Sequence, residues 1–195
     1  TALEQANTTA TEIDLVVCGI GPGSFTGTRI GIATALGMTS GDRCGLVGVS
    51  GLDAAGYRLR FFTGVVVPLI DARKGRIYGA LYRSGERLTG FLDESPQRIR
   101  ARLRPYASVL LTGPAAPEVH AAWGSADGLK LDPSAEQAEA VALLSIGVKR
   151  FARQAVRRVI PRRAYLRPSE AELGMHGPST TIVRGLPTSG GSTRQ

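Results

Sequence analysis

Gly19-Ile20-Gly21-Pro22-Gly23-Ser24-Phe25-Thr26-Gly27-Thr28-Arg29-Ile30-Gly31 joins an apolar strand to a helix, and its reading decides the fold. Upstream, Ile13 and Leu15 to Cys18 form a short apolar run of buried-strand type, which Gly-Pro-Gly breaks. Ser24 is placed as the N-cap of a helix running to about Ser40. Along that helix Thr26, Ile30, Ala33 and Gly37 form one stripe, and Gly27, Gly31, Ala35 and Met38 form another. One stripe is expected on a sheet. The other is open to a partner's helix or to later helices of the same chain. Interior glycines each cost about 1 kcal/mol relative to Ala, which points to close backbone contact.

Three chemistries suit such a turn. A phosphate cradle would want a third Gly where Ser24 stands, or Lys where Thr28 stands. A nucleophile elbow would want Gly where Pro22 and Thr26 stand. In the structural reading the glycines permit positive φ and Ser24 caps the helix.

Outward from this turn, the chain reads as alternating strand and helix, then as a meander. Leu46 to Val49 form a second strand and Ser50 caps a helix to about Leu59, which implies a parallel α/β unit. Residues 65–71, 76–82 and 87–92 read as consecutive antiparallel strands, with turns at Lys74-Gly75 and Ser84-Gly85. Pro96 opens a short helix, Ser108 to Thr112 form another strand, and Ser134 is expected to cap a helix reaching Ala152. Residues 174–195 are rich in Gly, Pro, Ser, Thr and Arg and are expected to be disordered.

The 195 residues, 43% hydrophobic and 21% charged, suit one medium domain or two small lobes. The longest apolar run, Val65 to Ile70, is too short for a bilayer, and no signal-like stretch opens the sequence, so a soluble, cytoplasmic chain is expected. Cys18 and Cys44 form no metal or redox pair, and His120 and His176 have no metal-ligand spacing. The net charge of +8 comes almost wholly from arginine. Basic residues gather at Arg98, Arg100, Arg102 and Arg104, and again from Lys149 through Arg157, Arg158, Arg162, Arg163 and Arg167. The second cluster, running from a helix end into a loop, reads as an RNA-facing surface or, since no RNA-module signature or aromatic stacking motif accompanies it in sequence, as a solvated basic face.

Four stretches together resemble one family. They are GPGSFTGTRIGIATALG at 21–37, GVSGLDA at 48–54, PLIDARKGRIYGALY at 68–82, and the ending Pro161 through Tyr165-Leu166-Arg167. The resemblance is to the bacterial TsaB (YeaZ) family and covers about residues 10–170. It implies an α/β fold, two-lobed and actin/Hsp70/sugar-kinase-like (RNase H-like). Residues 1–60 would be the remnant of the first lobe, lacking its first strands, and residues 61–173 the second lobe with the C-terminal helix. An unpaired edge is then expected on the strand at 13–18.

In function, the resemblance implies a non-catalytic subunit without a cofactor. The family's partners are a TsaD-like catalytic subunit, a TsaE-like ATPase and a second copy of TsaB, and the complex transfers threonylcarbamoyl to N6 of adenosine 37 of tRNA. Carried over by position, the partner-binding candidates are Phe25, Thr26, Arg29, Ile30, Ala33 and Gly37, and Asp71, Arg73 and Tyr78 belong to a shared structural motif. Arg157, Arg158, Arg162 and Arg163 are the candidates for indirect tRNA contact. Leu36 and Thr28 depart from the Lys and Leu common in the family. The alternatives are a metallopeptidase-like enzyme, which the histidine count opposes, and a nucleotide-binding enzyme using the turn from Gly19 to Ser24.

Overall fold

The computed structural model describes residues 2–40, 44–124, 126–134 and 139–153. After a short helix α1 (Ala2–Gln5) and a 3-10 turn (Ala10–Glu12), β1 (Leu15–Gly19) pairs in parallel with β2 (Gly45–Val49), from Leu15 opposite Gly45 to Gly19 opposite Val49. The helix between them is α2 (Phe25–Met38). Side chains alternate across β1, as a period of two requires. Val16 and Cys18 pack with Ile32, Ala35 and Leu46 under α2. Val17 faces α6 (Ala140–Arg153), where Gly147 has no room for a side chain: an added Cβ would stand 2.3 Å from Val17 Cγ2. The two strands are thus covered on both faces, by α2 and by α6. Among the described residues β1 pairs with β2 alone.

The second sheet is built around β3 (Val65–Asp71). On one edge lie antiparallel β4 (Ile77–Gly79) and β5 (Tyr82–Arg83), flanked by β7 (Leu92–Glu94) and β6 (Glu86–Arg87). On the other edge lie parallel β8 (Val109–Thr112) and β9 (Leu129–Leu131). Val65, Val67 and Leu69 turn to a core closed by Ile99 and Leu103 of α4 (Pro96–Leu103) and Val119 of α5 (Ala116–Trp123). Val66 turns the other way, against Leu52 of α3 (Gly51–Arg58) and Tyr82. Alternation on one strand thus feeds two cores.

The meander differs from its expected form in two places. The strand expected at 76–82 is broken at Ala80 and Leu81. Leu69 lies opposite Gly79 and Val66 opposite Tyr82, so Ala80 faces Pro68, which has no N–H to give the ladder. The strand expected at 87–92 is likewise two pieces: Glu86-Arg87 pairs with β5, and Leu92–Glu94 pairs with β4. The turn at Ser84-Gly85 has positive φ at both residues, 52° and 81°, the hairpin geometry expected of it.

Ser134 is not the cap of α6, which begins at Ala140. Its hydroxyl donates instead to Asp132 Oδ1 at 2.9 Å and accepts from Arg58 Nη1 at 2.7 Å. Arg58, at the end of α3, also pairs with Asp132 and donates to Thr112 Oγ1 at 3.0 Å. This network ties α3 to β8 and to the segment after β9.

Glu139 faces the same network. Burial pushes its carboxyl up to about 7; nearby Arg58 opposes the rise and Asp132 adds to it. The folded chain therefore keeps the Glu139 proton through a window, from the ordinary value of 4.5 to about 7, in which the unfolded chain has lost it. Stability falls as pH rises through that window. Glu139→Gln is expected to raise stability at pH 8 by about 2 kcal/mol, allowing for partial exposure, and to change little at pH 4. Thermal melts of both proteins at the two pH values measure the difference.

Candidate partner-docking face

The turn before α2 is shaped by backbone demands. Gly21 has a φ of +89°, where a side chain is strained, and its carbonyl accepts from Gly51 N at 3.0 Å. Ile20 N donates to Val49 O at 3.0 Å. The two strand-to-helix junctions, one capped by Ser24 and one by Ser50, are therefore locked side by side. Ser24 Oγ accepts from Gly27 N at 3.3 Å and Ser50 Oγ from Leu52 N at 3.2 Å. The capping role read for Ser24 is the one its geometry carries.

From this anchored start, α2 lays Ile32, Ala35 and Thr39 against the strands, with half-buried Thr28 and Leu36 beside them. The stripe of Gly27, Gly31, Ala35 and Met38 is therefore not the sheet-facing one: only Ala35 of the four is buried. Helical phase explains this, because Ile32 and Leu36 set the apolar side and rotate Met38 outward. Thr39 is fully buried because its hydroxyl donates to Ala35 O at 2.9 Å.

The other stripe is bare. Thr26, Ile30, Ala33 and Gly37 are all exposed. Ile30 is 61% exposed and Met38 57%, and nothing lies within 4 Å of where a Cβ would be at Gly31 or Gly37. Among the described residues no later helix uses this face, since α6 packs on α3 and on the opposite side of β1 and β2. At the helix start, the Arg29 guanidinium lies 3.6 Å from the Phe25 ring centroid, a cation–π pair that presents both side chains on the surface. All six residues carried over from the sequence thus lie on the exposed side of one helix.

The other expected residues have structural surroundings. Asp71 Oδ1 accepts from Arg73 N at 2.8 Å, bracing a turn in which Arg73, Lys74 and Gly75 all have positive φ. Asp53, inside the GVSGLDA stretch, accepts from Tyr82 Oη at 2.9 Å and from Arg150 Nη2 at 3.0 Å, and pairs with Arg87. Burial first, then the Asp53 charge, pushes the Tyr82 phenol well above its ordinary value, so it serves as a neutral donor. Among the described residues no group of three His, Cys, Asp or Glu is placed to hold a metal ion, and no helix is long and apolar enough to cross a membrane. Arg157, Arg158, Arg162 and Arg163, the motif ending at Arg167 and the tail 174–195 lie outside the described residues.

Sequence reasoning missed the Arg58–Asp132 network and a cleft between α4 and α5. Both unite residues far apart in the chain, and no local pattern marks them.

A family model described as TsaD: tRNA N6-adenosine threonylcarbamoyltransferase matches residues 1–118. The chain is 41% identical over 86 residues to the tRNA threonylcarbamoyladenosine biosynthesis protein TsaB of Escherichia coli K12, covering 43% of this chain and 37% of that protein. It is 35% identical over 72 residues to the TsaB of Bacillus subtilis 168, covering 37% of this chain and 31% of that one. The aligned part thus spans only about a third of these relatives. Among solved structures, YeaZ from Pseudomonas aeruginosa superposes with a TM-score of 0.63 at 26% identity, over 77% of this chain and 73% of that chain.

Proposed function

The chain belongs to the family described as TsaD: tRNA N6-adenosine threonylcarbamoyltransferase, as a member of TsaB (YeaZ) type, and we propose that it is a non-catalytic subunit of tRNA threonylcarbamoyladenosine biosynthesis. In this reading it docks on a TsaD-type catalytic subunit, which transfers threonylcarbamoyl to N6 of adenosine 37 in tRNAs reading codons that begin with A. A TsaE-type ATPase joins that assembly, and a second copy of the chain competes for the docking face.

The observation that carries the reading is the bare side of α2. Exposed Ile30 and Met38 supply apolar area, and Ala33 and Gly37 supply the flatness that lets another helix approach its backbone. The face lies in the stretch that aligns with the family. Arg29 and Phe25 stand at one end of it as an amphipathic anchor of the type enriched at interface centres.

We assign residues 1–60 to the first lobe and 61–173 to the second, in an actin-like arrangement, with α6 reaching back to cover β1 and β2. Among the described residues β1 pairs with β2 alone, and in this reading its other edge takes further strands of the first lobe. Reconstitution tests the role. Alone, the chain is expected to leave tRNA unmodified, and added to a cognate TsaD-type enzyme with substrate it is expected to raise threonylcarbamoyl transfer at least tenfold. Transfer by the chain alone, or an enzyme indifferent to it, contradicts the reading.

A further inference from the structure

The second sheet carries a surface that the subunit reading does not use. Helix α4 is capped by Ser95, whose Oγ accepts from Arg98 N, and it buries Ile99 and Leu103. Every second residue from 98 to 104 is arginine, and all four are exposed. Arg102 is held by Glu94 in two hydrogen bonds, at 2.9 and 2.5 Å. Arg100 and Arg104 pair with no carboxylate among the described residues, and they turn to an open cleft of about 210 Å³ between α4 and the end of α5.

That cleft contains the aromatic element absent from the local sequence. Trp123, the chain's only tryptophan, and Tyr106 line it, half-buried against the core below. The Arg100 guanidinium lies 5.9 Å from the Trp123 ring centroid, and Arg83 lies 5.6 Å from that of Tyr106. Asp127 is the one carboxylate among the lining residues.

We propose that the α4–α5 cleft binds single-stranded RNA, one base stacking on Trp123 and the flanking phosphates meeting Arg100 and Arg104. The chemistry favours RNA over an acidic protein segment. A pair of cations tolerates any polyanion, but a planar ring of this size, with Arg100 beside it in an open cleft that Arg104 also lines, takes a flat heterocycle. Stacking on aromatic rings and on guanidinium planes is how unpaired bases are held without sequence readout. The proposal rests on the subunit reading only for which RNA is met, and it adds a contact made by this chain itself.

The single tryptophan makes the cleft its own reporter. Titration of the full chain with an oligoadenylate is expected to quench Trp123 emission saturably, and rising salt to weaken the affinity. Arg100→Glu/Arg104→Glu is expected to lower affinity at least tenfold, with the circular dichroism melt unchanged. Should that variant unfold, Arg100→Gln/Arg104→Gln carries the same test. Trp123→Leu, followed by anisotropy of labelled RNA, is expected to weaken binding roughly five- to hundredfold, the range for one lost base stack. RNA binding without change in Trp123 emission, equal quenching by inorganic polyphosphate, or full affinity in the charge-reversed protein would overturn the proposal. Mixing each protein with the TsaD-type enzyme separates the two readings: RNA binding lost only in the charge-reversed protein, with its complex intact, supports both, and RNA binding by the wild type without any complex defeats only the subunit reading.

Discussion

Asp132→Ala is expected to lower stability by about 3 kcal/mol, and the midpoint of thermal unfolding by roughly 6–12 °C for a chain of this size. Asp132 is 4% exposed and is held by three groups: Arg58, Thr112 Oγ1 at 2.7 Å, and Ser134 through both its N–H and its hydroxyl. Burial by itself would raise this carboxyl, but the hydrogen bonds from Arg58, Thr112 and Ser134 together outweigh it and hold the group below its ordinary value of 3.8. Its contribution is therefore present above that value and is lost as pH falls through the depressed one.

Removing the carboxylate leaves Arg58 charged, only 20% exposed, and with Nε already lacking a partner among the described residues. An uncompensated, mostly buried charge is what makes the single change costly. Removal of both partners, as in Arg58→Met/Asp132→Leu, is expected to recover more than half of the loss, since no orphaned charge remains. Urea unfolding of the two singles and the double closes the cycle. A single variant that loses less than about 1 kcal/mol contradicts a structural role for this network.

The second large effect falls on association. Ile30→Asp places a charge at the centre of the bare α2 face, and it is expected to weaken binding to the TsaD-type partner by about a hundredfold or more, some 3 kcal/mol. Because Ile30 touches solvent over most of its surface, the stability of the free chain is expected to change by no more than an ordinary surface substitution, about 0.5 kcal/mol. Ala33→Arg acts on the same face by bulk. Isothermal titration with the partner, beside thermal melts of the free variants, separates docking from folding. Equal affinity in wild type and Ile30→Asp would move the docking face elsewhere.

The strand, turn and helix from Leu15 to Met38 were legible because local signals agreed: an apolar run, glycines at the break, and a serine at the cap. The exposed stripe on α2 was legible as a stripe but not as exposed, because periodicity gives the angle between residues and not which side meets the sheet. The division of 76–82 and 87–92 escaped because it depends on Pro68 facing Ala80, a pairing set by the sheet and not by either segment. Ser134 looked like a cap by residue type, and it is instead bound by Arg58, 76 residues earlier. The Trp123 and Tyr106 cleft is of the same kind: arginines on one helix and aromatics beyond it acquire a shared meaning only in three dimensions.

The central claim is that this chain is a partner subunit that docks through α2. Light scattering across a size-exclusion run of the chain mixed with its cognate TsaD-type protein tests it most directly. The account predicts one species whose mass is that of the partner plus 20.5 kDa per bound chain, and separate species once Ile30→Asp replaces the wild type. Two unassociated peaks from the wild-type mixture at micromolar concentrations would contradict it.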